Sequence, residues 1–300
     1  MRPRRGVASV LVPGLVGALL GCLLVVPVGT APAAAGGRPF TGSGTWVSIF
    51  SGDAVWDHPE RHVRRMQQRG VHTLFLQTAS TTRPVGTDLF RPSQLARFIH
   101  AAHARRMRVV AWYLPPLRRV GREYERAMAA IRFRTGRGER FDGFALDIEP
   151  SASTPKGVTR DDNLRRLSSR IRASVGVSYR LGAIIPSPMG MAVSTRFWPS
   201  FPYETVGRFY DVVLPMSYHT YRVRGARDTY AYTMSNIAFL RERLGPAASI
   251  HVIGGEAGAS NDAETTAFVQ ACNDAQVTGA SLWHYTRYGP EDWRAFRRLL

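Results

Sequence analysis

Phe141-Asp142-Gly143-Phe144-Ala145-Leu146-Asp147-Ile148-Glu149-Pro150 is the stretch from which the rest of the chain is read. Its middle is apolar on both faces, as in a strand covered from each side. Its C-terminal end carries Asp147 and Glu149, two residues apart. Side chains alternate along a strand, so both carboxylates point the same way. Like charges held together oppose each other's ionisation, which keeps one carboxyl protonated closer to neutrality. A fold gains nothing from that arrangement, whereas a catalyst that needs a carboxylic acid beside a carboxylate does. The structural alternative is a strand end whose acids are solvated, or paired with the many arginines.

Outward from this strand, strand-like and helix-like segments alternate. Strands are predicted at 45–50, 72–77, 107–114, 141–150, 180–185, 211–218, 249–254 and 280–285. Helical patterns fill the intervals at 57–69, 92–106, 121–134, 159–176, 228–244, 262–275 and 291–299, with a partly helical stretch at 198–209. Leu95, Phe98, Ile99 and Ala102 show the helical spacing, Thr159 is placed to cap the helix it precedes, and Gly245-Pro246 stops another. Eight such units in series predict a single α/β domain, a (β/α)8 barrel with its site at the C-terminal ends of the strands. A doubly wound sheet is the alternative, but no glycine-rich phosphate loop follows the first strand.

The chain has 300 residues. Residues 1–33 read as a secretory signal: Arg2, Arg4 and Arg5, an apolar run from Gly6 to Val28, then Ala31-Pro32-Ala33 as a cleavage site. An uncleaved anchor, or a lipoprotein box at Leu19-Leu20-Gly21-Cys22, are the other readings. Residues 34–44 read as a linker and 45–300 as the barrel, so the protein is expected outside the cell or at its surface. Beyond the leader only Cys272 remains of two cysteines, which excludes an intramolecular disulfide. No His/Cys cluster has zinc-ligand spacing, and no metal or cofactor is expected. The net charge is +18, and Lys156 is the single lysine among 40 basic residues. The plain reading is a generally basic surface, with the choice of arginine reflecting codon bias; the functional alternative is attraction to anionic cell-wall polymers. The arginines are spread along the chain without a recognition motif, so no nucleic-acid partner is expected.

At the predicted strand ends polar and aromatic residues collect: Gln77; Trp112 and Tyr113; Asp147 and Glu149; Met216, Tyr218 and His219; Glu256; Trp283. Rings facing carboxylates suit a sugar site, the rings stacking on sugar faces and the acids acting on the glycosidic bond. Each has a structural alternative: Trp283 as core, Met216 as packing, His219 as an ordinary polar residue, Glu256 as a solvated loop acid.

Asp142-Gly143-Phe144-Ala145-Leu146-Asp147-Ile148-Glu149 resembles the fourth-strand signature of family 18 glycoside hydrolases, the chitinase-like barrels, which is Asp-Gly-x-Asp-x-Asp-x-Glu. Met216-Ser217-Tyr218 resembles that family's Met-x-Tyr on strand six, and Trp283 stands where it has a strand-eight tryptophan. Three departures accompany the match. Ala145 replaces an acid that in the family shares a proton with the next Asp, His219 replaces the Asp that usually follows the Tyr, and Ala111-Trp112-Tyr113-Leu114 stands in place of Ser-x-Gly-Gly. The resemblance implies a retaining, substrate-assisted glycosidase acting on a β-linked N-acetylhexosamine polymer such as chitin, peptidoglycan glycan or an exopolysaccharide. Glu149 would be the acid, Asp147 the partner of the acetamido N–H, Tyr218 the holder of the acetamido oxygen and Trp283 the floor. Two rivals stand beside it. One is a two-carboxylate retaining glycosidase with Glu256 as nucleophile; the other is a carbohydrate-binding barrel without turnover.

Overall fold

The computed structural model describes residues 38–80, 88–150, 154–194, 197–256, 259–287 and 289–299, without the side chains of 256, 290 and 291. The leader assigned to 1–33 lies outside the described residues. Eight parallel strands pair in chain order: β1 (Gly42–Val47), β2 (Thr73–Ala79), β3 (Arg108–Tyr113), β4 (Gly143–Asp147), β5 (Leu181–Pro186), β6 (Val212–Ser217), β7 (His251–Glu256) and β8 (Gly279–Trp283). β8 returns to pair with β1, with Gly42 opposite Gly279 and Thr45 opposite Leu282, which closes the barrel. Helices α1 (Asp53–Asp57) and α2 (Pro59–Gln68) follow β1; α3 (Pro92–His103), α4 (Val120–Arg132) and α5 (Val158–Val175) follow β2, β3 and β4. Then α6 (Pro188–Val193) and α7 (Tyr203–Phe209) follow β5, and α8 (Ala226–Leu244), α9 (Asp262–Asp274) and α10 (Pro290–Phe296) follow β6, β7 and β8. The fold is a (β/α)8 barrel.

Alternation along each strand sorts its residues into two cores. Leu74, Leu76, Val109, Ala111, Leu146 and Ile148 face outward into the layer between strands and helices. Trp46, Phe75, Val110, Trp112, Ala145, Ile184, Leu214 and Ile253 face inward and fill the barrel. Filling a tapered interior with large rings requires small residues opposite them. A Cβ on Gly182 would lie 2.6 Å from the Phe40 ring and 2.8 Å from Leu214, and one on Gly44 would lie 2.7 Å from the Phe75 ring.

That packing explains where the sequence reading slips. β1 begins at Gly42 and not at Thr45, so part of the stretch assigned as linker belongs to the barrel. Gly44, placed in the linker, is a strand residue whose missing side chain makes room for Phe75. Phe40, also in that stretch, is fully buried in the inner core. Thr159 does not cap α5: the helix starts one residue earlier, after Gly157, whose φ of 61° makes the turn into it.

Candidate active site

Asp147 ends β4, and the sheet pairing runs on past it, because the Ile148 N–H donates to the Ile184 carbonyl at 2.7 Å. Ile148 faces the helices. The acids on either side of it therefore face the barrel mouth, where both line one cavity of about 280 Å³. Asp147 is 6 % exposed, and its Oδ1 has no hydrogen-bond partner among the described residues. Burial, and then the neighbouring Glu149 charge, push the Asp147 carboxyl well above the usual carboxylate range. Burial pushes Glu149 up as well. No ion pair among the described residues involves either acid. The alternative in which arginines neutralise the pair is therefore not what the chain adopts.

Three indoles lie in this cavity's lining and touch one another. Trp46 is 5.8 Å from Trp112 and 5.9 Å from Trp283, and Trp112 is 5.9 Å from Trp283. Trp46 is fixed from below by stacking on Phe75 at 4.1 Å and by donating from Nε1 to Ser281 Oγ at 2.8 Å. The Trp112 Nε1–H is buried without a hydrogen-bond partner among the described residues. Two residues that line the cavity thus each carry a buried polar atom without a partner among the described residues, an acceptor on Asp147 and a donor on Trp112. Unpaired buried polar groups cost about 1–3 kcal/mol each, a cost that a ligand supplying both partners would remove.

A second cavity, of about 380 Å³, adjoins the first and shares Glu149, Met216 and Tyr218 with it. Ser187 and Met191, around α6, and Tyr221, Arg222 and Tyr232, beyond β6, line its other walls. Glu149 therefore stands where the two cavities meet. Such a group can hand a proton to an atom bridging two ligand units, one in each cavity.

The structure brings together Asp147, Glu149, Gln77, Trp112, Met216, Tyr218 and Trp283 around the first cavity. Gln77 is spoken for within the protein: its Oε1 accepts from the Ile49 N–H and its Nε2 donates to the Ala79 carbonyl. Tyr113 is a correction. Its neighbour Trp112 faces inward, so Tyr113 faces the helices, where it is fully buried in the outer core and its hydroxyl accepts from Arg126 at 3.3 Å. His219 is another. It lies outside both cavities, 1 % exposed beside Phe268, with Nε2 at 3.1 Å from Ser260 Oγ, and burial lowers it to about 4, which keeps it neutral. Glu256 ends β7 opposite Trp283 in the sheet register, but its side chain lies outside the described residues.

Asp142, the first acid of the quoted stretch, sits at the other end of β4. It accepts from the Val109 N–H at 2.8 Å and from Arg108 at 2.9 Å, and lies 2.9 Å from His103 Nε2. Burial works to raise it, but these partners hold its carboxyl below the usual range. It fastens β3 to β4 and takes no part in the site.

No protein-family profile matches the chain, and no curated protein matches it in sequence. Its fold is similar to those of solved structures. The spore cortex-lytic enzyme SleL from Bacillus cereus superposes with a TM-score of 0.62 at 11 % identity, covering 88 % of this chain and 76 % of that one. The endo-1,4-beta-mannanase from Rhizomucor miehei gives 0.61 at 9 % identity over 83 % and 87 % of the two chains. A chitinase from Chromobacterium violaceum gives 0.56 at 10 % identity over 86 % and 98 %. At these identities the likeness is one of fold.

Sequence reasoning missed Trp46 and the walls of the second cavity other than Glu149, Met216 and Tyr218. Trp46 was legible: it lies two residues beyond Gly44 on a strand whose small residue marks the packed interior. The second cavity was not, because α6 sits in a segment, 188–193, whose helical character shows no apolar period.

Proposed function

We propose that the protein is a glycoside hydrolase that cleaves a β-linked N-acetylhexosamine polysaccharide with retention, the substrate's own acetamido oxygen acting as nucleophile. The observation that carries this reading is the pairing of an unsatisfied carboxyl oxygen on Asp147 with an unsatisfied indole N–H on Trp112 in one cavity, with Glu149 at its edge. An acetamido group offers one N–H and one carbonyl, the complement of that pair. The three-indole wall provides the apolar surface on which a sugar face stacks.

In this reading Glu149 donates its proton to the departing glycosidic oxygen as the acetamido oxygen closes on the anomeric carbon. The carbon–oxygen bond to the leaving sugar breaks and an oxazolinium ring forms. Asp147 accepts a hydrogen bond from the acetamido N–H and stabilises the positive charge that develops there, an electrostatic effect strengthened by its burial. Tyr218, in the lining of both cavities, holds the acetamido oxygen in line together with the Trp112 N–H, and proximity supplies much of the rate. Water then opens the ring at the anomeric carbon, with the Glu149 carboxylate taking its proton. The polymer extends through both cavities. Among the described residues the exposed aromatic side chains Phe50, Phe197 and Tyr221 all border them, as platforms along a glycan would.

The resemblance of the fourth strand to the chitinase-like barrels supports the same reading, as do the activities of the chitinase and the cortex-lytic enzyme to whose folds it is similar. The leader supports action outside the cell or at its surface, where the basic exterior meets anionic wall polymers. Hydrolysis of chitin oligosaccharides and of peptidoglycan glycan, followed by reducing-end release, tests the activity. A thiazoline mimic of the oxazolinium ring tests the mechanism by competitive inhibition. Turnover of glycans lacking any acetamido group at equal rates would refute the acetamido nucleophile.

A further inference from the structure

Resting on that reading, we infer that the second cavity takes a sugar bearing a carboxylate, which Arg222 binds, so that the preferred bond lies between an N-acetylhexosamine and an acidic sugar on the leaving side. Among the described residues Arg222 is the only cation in the lining of this cavity, and Glu149, at its junction with the first, is the only acid. Among the described residues the Arg222 side chain makes neither a hydrogen bond nor an ion pair, so its charge is available to a ligand in the cavity that it lines. It does not hold the Glu149 charge either, so its place in the wall is not explained by tuning the acid.

The Arg222 backbone is fixed, and its exposed side chain lies along the cavity wall. The Arg222 backbone N–H donates to the His219 carbonyl at 2.8 Å, which closes the turn that also presents Tyr218. Its Nη2 rests over Gly190 in α6, where an added Cβ would stand 3.2 Å away. Close by, Ser187 Oγ and the Tyr232 hydroxyl lie 2.6 Å apart, and Ser187 is tied to Asn236 at 2.8 Å, so these neutral groups are satisfied within the protein. A neutral sugar in this cavity leaves the cation unmatched. A carboxylate meets it in the two-pronged geometry at which arginine excels. The Tyr221 ring, 64 % exposed in the same wall, supplies the stacking face.

The test uses three β-1,4 disaccharides with N-acetylglucosamine on the non-reducing side. The reducing sugar is N-acetylglucosamine, the same sugar carrying a lactyl ether on its 3-oxygen, or glucuronic acid. Rates are measured on the wild type, Arg222→Met and Arg222→Lys, and affinities by calorimetry on the Glu149→Gln background. The expected result is that at least one acidic disaccharide binds about tenfold more tightly than the neutral one, and that this preference collapses in Arg222→Met. It should recover in part with Arg222→Lys and shrink as salt rises from 0.05 to about 0.5 M. Which acidic disaccharide is favoured distinguishes a lactyl from a uronate carboxylate. Equal binding of all three, or a preference that survives Arg222→Met, overturns the inference. If none of the disaccharides is cleaved the glycosidase reading falls, and the calorimetric preference then decides the role of Arg222 by itself.

Discussion

Replacing Asp147 with Asn should make the protein more stable and far less active, with both effects following from one pair of charges. Two positions two residues apart on a strand are separated by about 6.6 Å. Two full charges at that distance repel by about 2.5 kcal/mol at an effective dielectric near 20. Glu149 is only half-buried, so about 2 kcal/mol is a fair figure for what the ionised pair costs the fold. The sign follows from the direction of the shifts. Both carboxyls are raised in the folded protein above their ordinary values of 3.8 and 4.5. Their favourable, protonated state is therefore fully present below those values and is lost as pH rises through the raised folded ones. Asp147→Asn should thus match the wild type near pH 4 and exceed it by about 2 kcal/mol at pH 8, a rise in Tm of about 5 °C for a chain of this size. Hydrolysis by the same variant should fall about 100- to 1000-fold, because the carboxylate that meets the developing positive charge is gone. Paired thermal melts across pH 4–8 and rates on chitin oligosaccharides measure both. A variant no more stable at pH 8 than the wild type, or a stability gap that does not widen with pH, would refute the buried-pair argument.

Glu149→Gln should lower kcat by about 100- to 10,000-fold while leaving the affinity for intact oligosaccharide nearly unchanged, since it removes a transferable proton and keeps the shape; undiminished turnover would remove Glu149 from the reaction. The pH–rate profile should be bell-shaped, with both limbs displaced upward from ordinary carboxylates and reporting the pair as a unit; an acid limb at the unperturbed values would contradict the burial. Tyr113→Phe should leave kcat and KM within about twofold of the wild type, because the ring stands among the helices; a tenfold rise in KM would place it in the site after all. Gly254→Ala should cost about 1–3 kcal/mol in denaturant unfolding, because the added methyl would lie 2.4–2.6 Å from the Phe268 ring.

The order and type of the elements were legible because hydrophobic runs on both faces, punctuated by Gly and Pro, are what a parallel strand under helices requires. Strand ends were legible where a side chain had to be small for a visible reason, and illegible where the reason was distant in sequence. Gly143 fills its place because a Cβ there would lie 3.1 Å from the ring of Phe40, about a hundred residues away in sequence. The same distance effect hid the role of Asp142. Read along the chain, it belongs to one acidic motif with Asp147 and Glu149. In the barrel, a five-residue strand separates it from them, one end fastening the sheet and the other facing the cavity. Tyr113 failed for a simpler reason: period-two alternation assigns adjacent aromatics to opposite faces, so Trp112 and Tyr113 were never both available to one site.

The departures from the chitinase-like pattern on strands three and four are physically one change. Ala145 and Trp112 are register partners on neighbouring strands, and both point into the barrel. Close packing means that the room an indole takes at one position must be given up at the other. An acid at 145 would put a third carboxyl into that interior, beside a ring that offers it no cation. With Ala145 there instead, Asp147 has Glu149 as its charged neighbour and no acid beneath it with which to share a proton. The same exchange brings an indole N–H into the cavity that holds the Asp147 oxygen. Where the chitinase-like pattern has an acid for proton sharing below the pair, this chain has a hydrogen-bond donor on the neighbouring strand. Under the proposed reading, Ala145 is therefore compatible with a working site, because the indole N–H of Trp112 can make beside Asp147 the polar contact that the chitinase-like pattern has beneath it.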